Sequence, residues 1–115
     1  MSVPLDPITV VVTFTIKVGE RDRFKAALLA HLPNCVAEQT CERMWVYDDP
    51  EDPARFMLFE EWADRTEFLE VQLKRAYREP YMAATEQLWA APRETTIWRR
   101  VPTAWDPPSE RTDKT

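Results

Sequence analysis

Three side chains could move a proton or shape a site for chemistry. Glu60 and Trp62 stand two residues apart at the end of an apolar run, and His31 is the single histidine of the chain. A carboxylate at the exit of a buried strand gains basicity, because burial disfavours its charged form and lifts its pKa toward neutrality. His31 reaches the same range from its intrinsic pKa and lies beside an apolar helical stripe. Trp62 offers a flat apolar wall. Each has a plainer reading as well. Glu60 pairs with an arginine such as Arg43 across a hairpin, His31 is a helix C-terminal cation or a satisfied core residue, and Trp62 is a strand-end core or interface aromatic.

The element that positions Glu60 and Trp62 is the run R-F-M-L-F-E-E-W-A-D over 55–64. At the two-residue period of a strand, Phe56, Leu58, Glu60 and Trp62 share one face and Met57, Phe59 and Glu61 the other. Both faces are largely apolar, so both need cover. Residues 8–17 (I-T-V-V-V-T-F-T-I-K) predict a first strand, with Ile8, Val10, Val12, Phe14 and Ile16 on an apolar face. After Gly19 a helix is expected over 20–32, carrying Phe24, Leu28, His31 and Leu32; Pro33 ends or kinks it, and 35–39 can resume it.

Residues 41–48 predict a second strand, with Met44 and Val46 on one side and Trp45 and Tyr47, read as dimer-interface aromatics, on the other. The polar link D-D-P-E-D-P-A makes 41–48 and 55–62 a hairpin. Asp64 with Glu67 three residues on has capping-box spacing, and the helix it opens carries Phe68, Leu69, Leu73, Ala76 and Tyr77 on one arc. Glu79-Pro80 restarts the helix, which then shows Tyr81, Met82, Thr85, Leu88 and Trp89. A last strand is expected over 93–101, where Arg99 and Arg100 protect an edge.

The order β-α-β-β-α-β predicts an α+β ferredoxin-like plait, a four-stranded antiparallel sheet with helices on one face. The other face would leave a sizeable apolar patch in water, so a homodimer is expected in which two sheets pack face to face through that open surface. One domain over 8–101 is bounded by an extended lead-in over 1–7 and a Pro-rich, mobile tail over 102–115, whose removal should leave a folded dimer.

With 115 residues, the chain suffices for one core. The net charge of −5 argues against nucleic-acid or anionic-membrane partners, and no apolar run is long enough to span a bilayer. One glycine among ten prolines excludes Gly-rich phosphate loops. Cys35 and Cys41 are read as reduced and structural, and two thiols with one histidine do not make a metal site. Without a signal-peptide pattern at its start, the chain is expected to be cytoplasmic.

In order and spacing, I-T-V-V-V-T-F, V-G-E-R-D-R-F, C-E-R-M-W-V-Y-D-D-P-E-D-P-A-R-F and F-E-E-W-A-D resemble the antibiotic biosynthesis monooxygenase (ABM) family over about residues 8–101. The resemblance implies a dimeric α+β barrel with a pocket between sheet and helices, and an enzyme that oxygenates electron-rich phenols or quinols without metal, flavin or other cofactor. Two departures stand out. The family usually has a histidine in the helix after the E-x-W strand, where Val71 stands here. Haem-degrading relatives add an Asn on the first strand, which this chain lacks, so haem chemistry is disfavoured.

Cofactor-free oxygenation requires binding a flat substrate, ionising it and excluding water. Phe14, Phe24, Tyr81 and Trp62 are candidate walls, and His31 or Glu60 the candidate proton acceptor. The alternative is a non-enzymatic dimer of the same fold that binds a small aromatic or serves a biosynthetic enzyme. An isomerase or dehydratase would need the same single base.

Overall fold

A computed structural model describes residues 4–107. The elements are β1 (Ile8–Thr15), α1 (Arg21–Val36), β2 (Cys41–Asp49), β3 (Asp52–Trp62), α2 (Arg65–Glu70), α3 (Arg78–Thr85) and β4 (Glu94–Trp98), with 3-10 turns at Gln72–Lys74 and Glu86–Leu88. The strands lie in the order β2-β3-β1-β4 and every neighbouring pair is antiparallel. This is the α+β ferredoxin-like plait expected from the element order.

Burial alternates residue by residue along β1 and the second half of β3. The register pairs Val10 with Glu60, Val12 with Leu58 and Phe14 with Phe56, so these side chains share the helix-covered face. Phe24 and Leu28 of α1 and Phe68 of α2 close over them. Each fully buried side chain of this size contributes about 1.5–3 kcal/mol. Gly19, at φ +84°, makes the turn between β1 and α1 in the left-handed region that glycine enters without a Cβ clash. The entry to α1 is fixed by Arg21, which pairs with Asp48 at 2.9 Å, donates to the Pro53 carbonyl and lies 4.7 Å over the Phe56 ring.

Several local expectations change. Helix α1 runs through Pro33 to Val36. Pro33 withholds an N–H only from the carbonyl of Leu29, and both residues face solvent, where water can serve that carbonyl. The continued helix buries Cys35 in its last turn. The arc Phe68, Leu69, Leu73, Ala76, Tyr77 does not hold. The helical period stops at Glu70, the 3-10 turn brings Gln72 inside, and Leu69 and Leu73 are exposed. Asp64 caps α2 by accepting from the Glu67 N–H at 3.2 Å, and from that of Asp6 at 2.9 Å. The Glu67 carboxylate completes no reciprocal box. It accepts instead from the Thr40 hydroxyl at 2.7 Å and the Gln72 amide at 3.0 Å.

Strand β4 is shorter than expected, and Arg99 and Arg100 lie beyond it. They pair with Asp6 at 2.9 Å and Glu61 at 3.3 Å rather than guarding an edge. On the open face of the sheet Trp45 stacks on Phe59 at 5.7 Å, with Tyr47 beside it, and both β2 aromatics are more than 40% exposed. Of the tail expected over 102–115, residues 108–115 lie outside the described residues; Trp105 before them is exposed in a turn between Thr103 and Asp106. Residues 1–3 of the lead-in are likewise outside. Among the described residues no helix is long and apolar enough to cross a membrane.

Candidate functional site

Consecutive glutamates of β3 point to opposite sides of the sheet. Glu61 faces the open side, where Arg43 lies at 3.7 Å and Arg100 at 3.3 Å. The Arg43 expected for Glu60 is therefore Glu61's partner, because it stands opposite Glu61 in the β2–β3 register. Glu60 faces the helices, 5% exposed, and its Oε1 accepts from the indole Nε1 of Trp62 at 2.8 Å. The two-residue strand period makes that bond, since it stacks residues 60 and 62 on one face. Burial raises the pKa of Glu60, while the indole N–H and the guanidinium groups of Arg78 and Arg93 offset part of the rise.

His31 lies on the buried face of α1, stacked on Tyr81 of α3 with ring centroids 3.9 Å apart and planes 7° from parallel. Its Nε2 is 3.3 Å from the Cys35 sulfur one turn on, and its Nδ1 is buried with no hydrogen-bond partner among the described residues. Burial, with Arg78 and Arg93 adding to it, lowers its pKa to about 4. At neutral pH it is an uncharged imidazole, and since α1 continues five residues further it is not a C-terminal cation. The Tyr81 hydroxyl is also buried without a partner, and burial pushes the phenol up to about 12. Cys35 and Cys41 are buried thiols; burial pushes Cys35 up to about 11.

Two arginines complete the cluster. Arg78 donates from Nε to the Gln72 carbonyl at 2.7 Å, and its guanidinium lies 6.0 Å from the rings of both Trp62 and Tyr77. Arg93 lies 5.4 Å over Trp89, whose own Nε1 is buried and unpartnered. Neither arginine was a sequence candidate. The signal for Arg78 was its place just before Glu79-Pro80, the first turn of a helix, where a cation opposes the dipole and needs another reason to be there.

The six sequence candidates fall into three pairs. Glu60 and Trp62 are hydrogen-bonded, and His31 and Tyr81 are stacked. Phe14 and Phe24 pack together at 4.9 Å, and Phe24 meets Phe56 at 5.2 Å. That aromatic group lies two turns of α1 before His31, roughly 10 Å along the axis. Val71, in register with the family histidine, is exposed at the end of α2, whereas its neighbour Gln72 is fully buried. A separate groove of about 460 Å³ lies on the open sheet face, lined by residues including Val11, Phe59, Glu61, Trp98 and Arg100. It contains none of the six candidates, and its carboxylate is already paired. Among the described residues no three His, Cys, Asp or Glu side chains are grouped to hold a metal ion.

The helix-covered cluster therefore brings together a buried carboxylate, aromatic rings and buried polar atoms that lack partners among the described residues. No curated protein matches the chain significantly. Solved structures match its fold. A candidate antibiotic biosynthesis monooxygenase from Nitrosomonas europaea aligns at TM-score 0.78 and 19% identity over 88% of this chain and 96% of that one. A conserved protein from Methanosarcina mazei aligns at 0.77 and 20% identity, covering 84% and 95%. SnoaB, a cofactor-independent oxygenase from Streptomyces nogalater, aligns at 0.77 and 17% identity, covering 88% and 99%. The family model for antibiotic biosynthesis monooxygenase matches residues 7–79, well over half the sequence, and the chain belongs to that family.

Proposed function

We propose that this protein is a cofactor-independent monooxygenase that oxidises an electron-rich phenol, quinol or polycyclic aromatic with dioxygen. The observation that carries the reading is Glu60, a buried carboxylate fixed by Trp62 and made more basic by burial, on the helix-covered face. SnoaB, similar in fold, is described as a cofactor-independent oxygenase.

In this reading Glu60 takes the proton whose loss turns the bound aromatic into an electron-rich anion. His31 is a poor proton acceptor at a pKa of about 4 and acts as an uncharged hydrogen-bonding group. Trp62 and Tyr81 wall the substrate, with Phe14 and Phe24 at the far end. For a substrate with a ring CH2 that enolises to a phenol, the anion reduces dioxygen. One oxygen atom becomes a new ring carbonyl and the other leaves as water with the two hydrogens of the former CH2. All four electrons come from the substrate, and water is kept out while charge is transferred.

Two further parts belong to the proposal. The exposed aromatics Trp45, Tyr47 and Trp98 on the open sheet face are covered by a second copy of the chain. A cytoplasmic setting, in which thiols stay reduced, fits the two buried cysteines. The non-enzymatic alternative is favoured by one observation: Phe14, Phe24 and Phe56 fill the space beside the cluster with their own rings.

The test is dioxygen uptake by metal-stripped protein with a panel of hydroquinones, anthrones and naphthols. Turnover above the spontaneous rate is expected, falling by about a hundredfold or more in Glu60→Gln, as for loss of a general base. Trp62→Phe and His31→Ala should lower it less. No uptake above background across the panel would turn the assignment to a binding protein.

A further inference from the structure

The charges around the candidate site do not balance. Arg78 is half-buried at the first residue of α3, against the helix dipole. Its Nε is committed to the Gln72 carbonyl, but one terminal nitrogen is buried without a partner, and among the described residues it forms no ion pair. Arg93, also half-buried, rests on Trp89 and likewise has no acidic partner among the described residues. The carboxylate that faces them is Glu60, already bonded to the Trp62 indole. Three further polar atoms of the cluster are buried without partners among the described residues: Nδ1 of His31, a residue 6% exposed, the hydroxyl of Tyr81, 9% exposed, and Nε1 of Trp89. Unmet buried donors and unpaired cations are costly unless something answers them.

From this arrangement we infer that the site takes its aromatic ligand as an anion, the ligand's oxygen against the free edge of the Arg78 guanidinium and within reach of the Tyr81 hydroxyl, with Arg93 as the second cation. The inference rests on the oxygenase reading for the location of the site and narrows its substrate class to aromatic acids or phenols that bind ionised. A planar guanidinium suits it, since its fork presents two N–H groups to one carboxylate or a single strong bond to a phenolate. Glu60 works in the same direction, because once it holds the proton taken from the ligand it is uncharged and leaves the two guanidinium charges to the anion. The stack of His31 on Tyr81 and the indole of Trp62 supply the apolar surface for the ring.

The test uses probes that do not react with dioxygen. Calorimetric titration of the full chain at neutral pH with 2-naphthoate and with its neutral isostere 2-naphthamide compares charge at fixed shape. Naphthoate is expected to bind about tenfold to a hundredfold more tightly, the range of a hydrogen bond to a charged group. Arg78→Gln should bring the ratio close to one, and Arg78→Lys should restore part of it. Arg93→Gln, which disturbs no hydrogen bond among the described residues, should lower the ratio and gives a second reading if Arg78→Gln fails to fold. A parallel titration with 2-naphthol, followed by the long-wavelength absorbance band of its phenolate, reads ionisation of the bound ligand wherever its proton goes. Preference for naphthoate identifies a carboxylate as the anion; the phenolate band from naphthol without that preference identifies the phenolate. Equal binding of the two naphthalene probes with no phenolate band overturns the inference, as does failure of all three to bind. Because binding is read without turnover, a protein that takes up no oxygen yet discriminates through Arg78 keeps its anion site and loses only the oxygenase assignment.

Discussion

Glu60 and Glu61 are neighbours in β3, yet they experience two different solvents. Glu61 looks onto the open sheet face, where Arg43 and Arg100 flank it and water reaches it. Glu60 looks under the helices, where an indole N–H is its hydrogen-bond partner and the nearby guanidiniums lie beyond ion-pair distance. The two faces repeat the contrast in their aromatic residues. Trp45 on the open side is nearly half-exposed, whereas Trp62 on the covered side is 1% exposed. A surface carboxylate held by cations has little influence on stability. A buried carboxylate without a close cation is a stronger base at a cost to the fold. One residue of displacement along a strand separates a structural glutamate from a candidate catalytic one.

Truncation of the two indoles should separate the faces most widely. Trp62→Ala is expected to lose about 3–5 kcal/mol of stability in chemical denaturation, since it empties a core volume and strips Glu60 of its hydrogen bond. Trp45→Ala should cost a folded monomer less than about 1 kcal/mol and register in sedimentation as a weaker dimer. Equal losses at the two positions would erase the distinction between covered and open faces.

Acid titration gives the next effect. The His31 pKa is lowered from 6.5 to about 4 in the fold, so between these values the unfolded chain binds a proton that the folded chain refuses. Stability is lost as pH falls through that window, by up to about 3 kcal/mol. In His31→Phe this part of the acid limb should flatten in pH-dependent denaturation curves.

The smallest contrast is the sharpest. Glu60 has a raised folded pKa, so it costs stability as pH rises from the unfolded value toward the folded one, and Glu60→Gln should make the protein more stable at neutral pH. The same substitution one residue on, Glu61→Gln, should lower stability by up to about 1 kcal/mol, with the loss shrinking in salt. Melting temperatures of the two variants at neutral pH should therefore move in opposite directions.

Where a simple period governs the chain, the structure could be read from the residues. Alternation in β1 and β3 placed Phe56, Leu58, Glu60 and Trp62 on one buried face, and the helical stripe brought His31 to that same layer. The reading failed where the period breaks. At Val71 the second helix ends after two turns, so Leu69 and Leu73, apolar and in phase on paper, emerge into water, and Gln72 turns inward instead. Arg78 and Arg93 follow that break, one at a helix restart and one in the link before β4, where no regular spacing predicts which way a side chain points. Pro33 misled for a different reason. Its effect depends on whether the carbonyl it abandons can reach water, which is a matter of tertiary placement.

The sulfur beside His31 bears on how the protein ages. Oxidants attack the thiolate rather than the thiol, and Cys35, pushed up to about 11 by burial, is ionised in only about one molecule in ten thousand at neutral pH. Its neighbour His31 carries no charge there that could draw out the proton. A thiol sealed at 1% exposure in this state is a poor target for peroxide or superoxide, so sulfenic and sulfinic acids should form slowly at this position. Under the proposed oxygenase reading, a cysteine can thus stand beside the candidate site without becoming the first casualty of turnover.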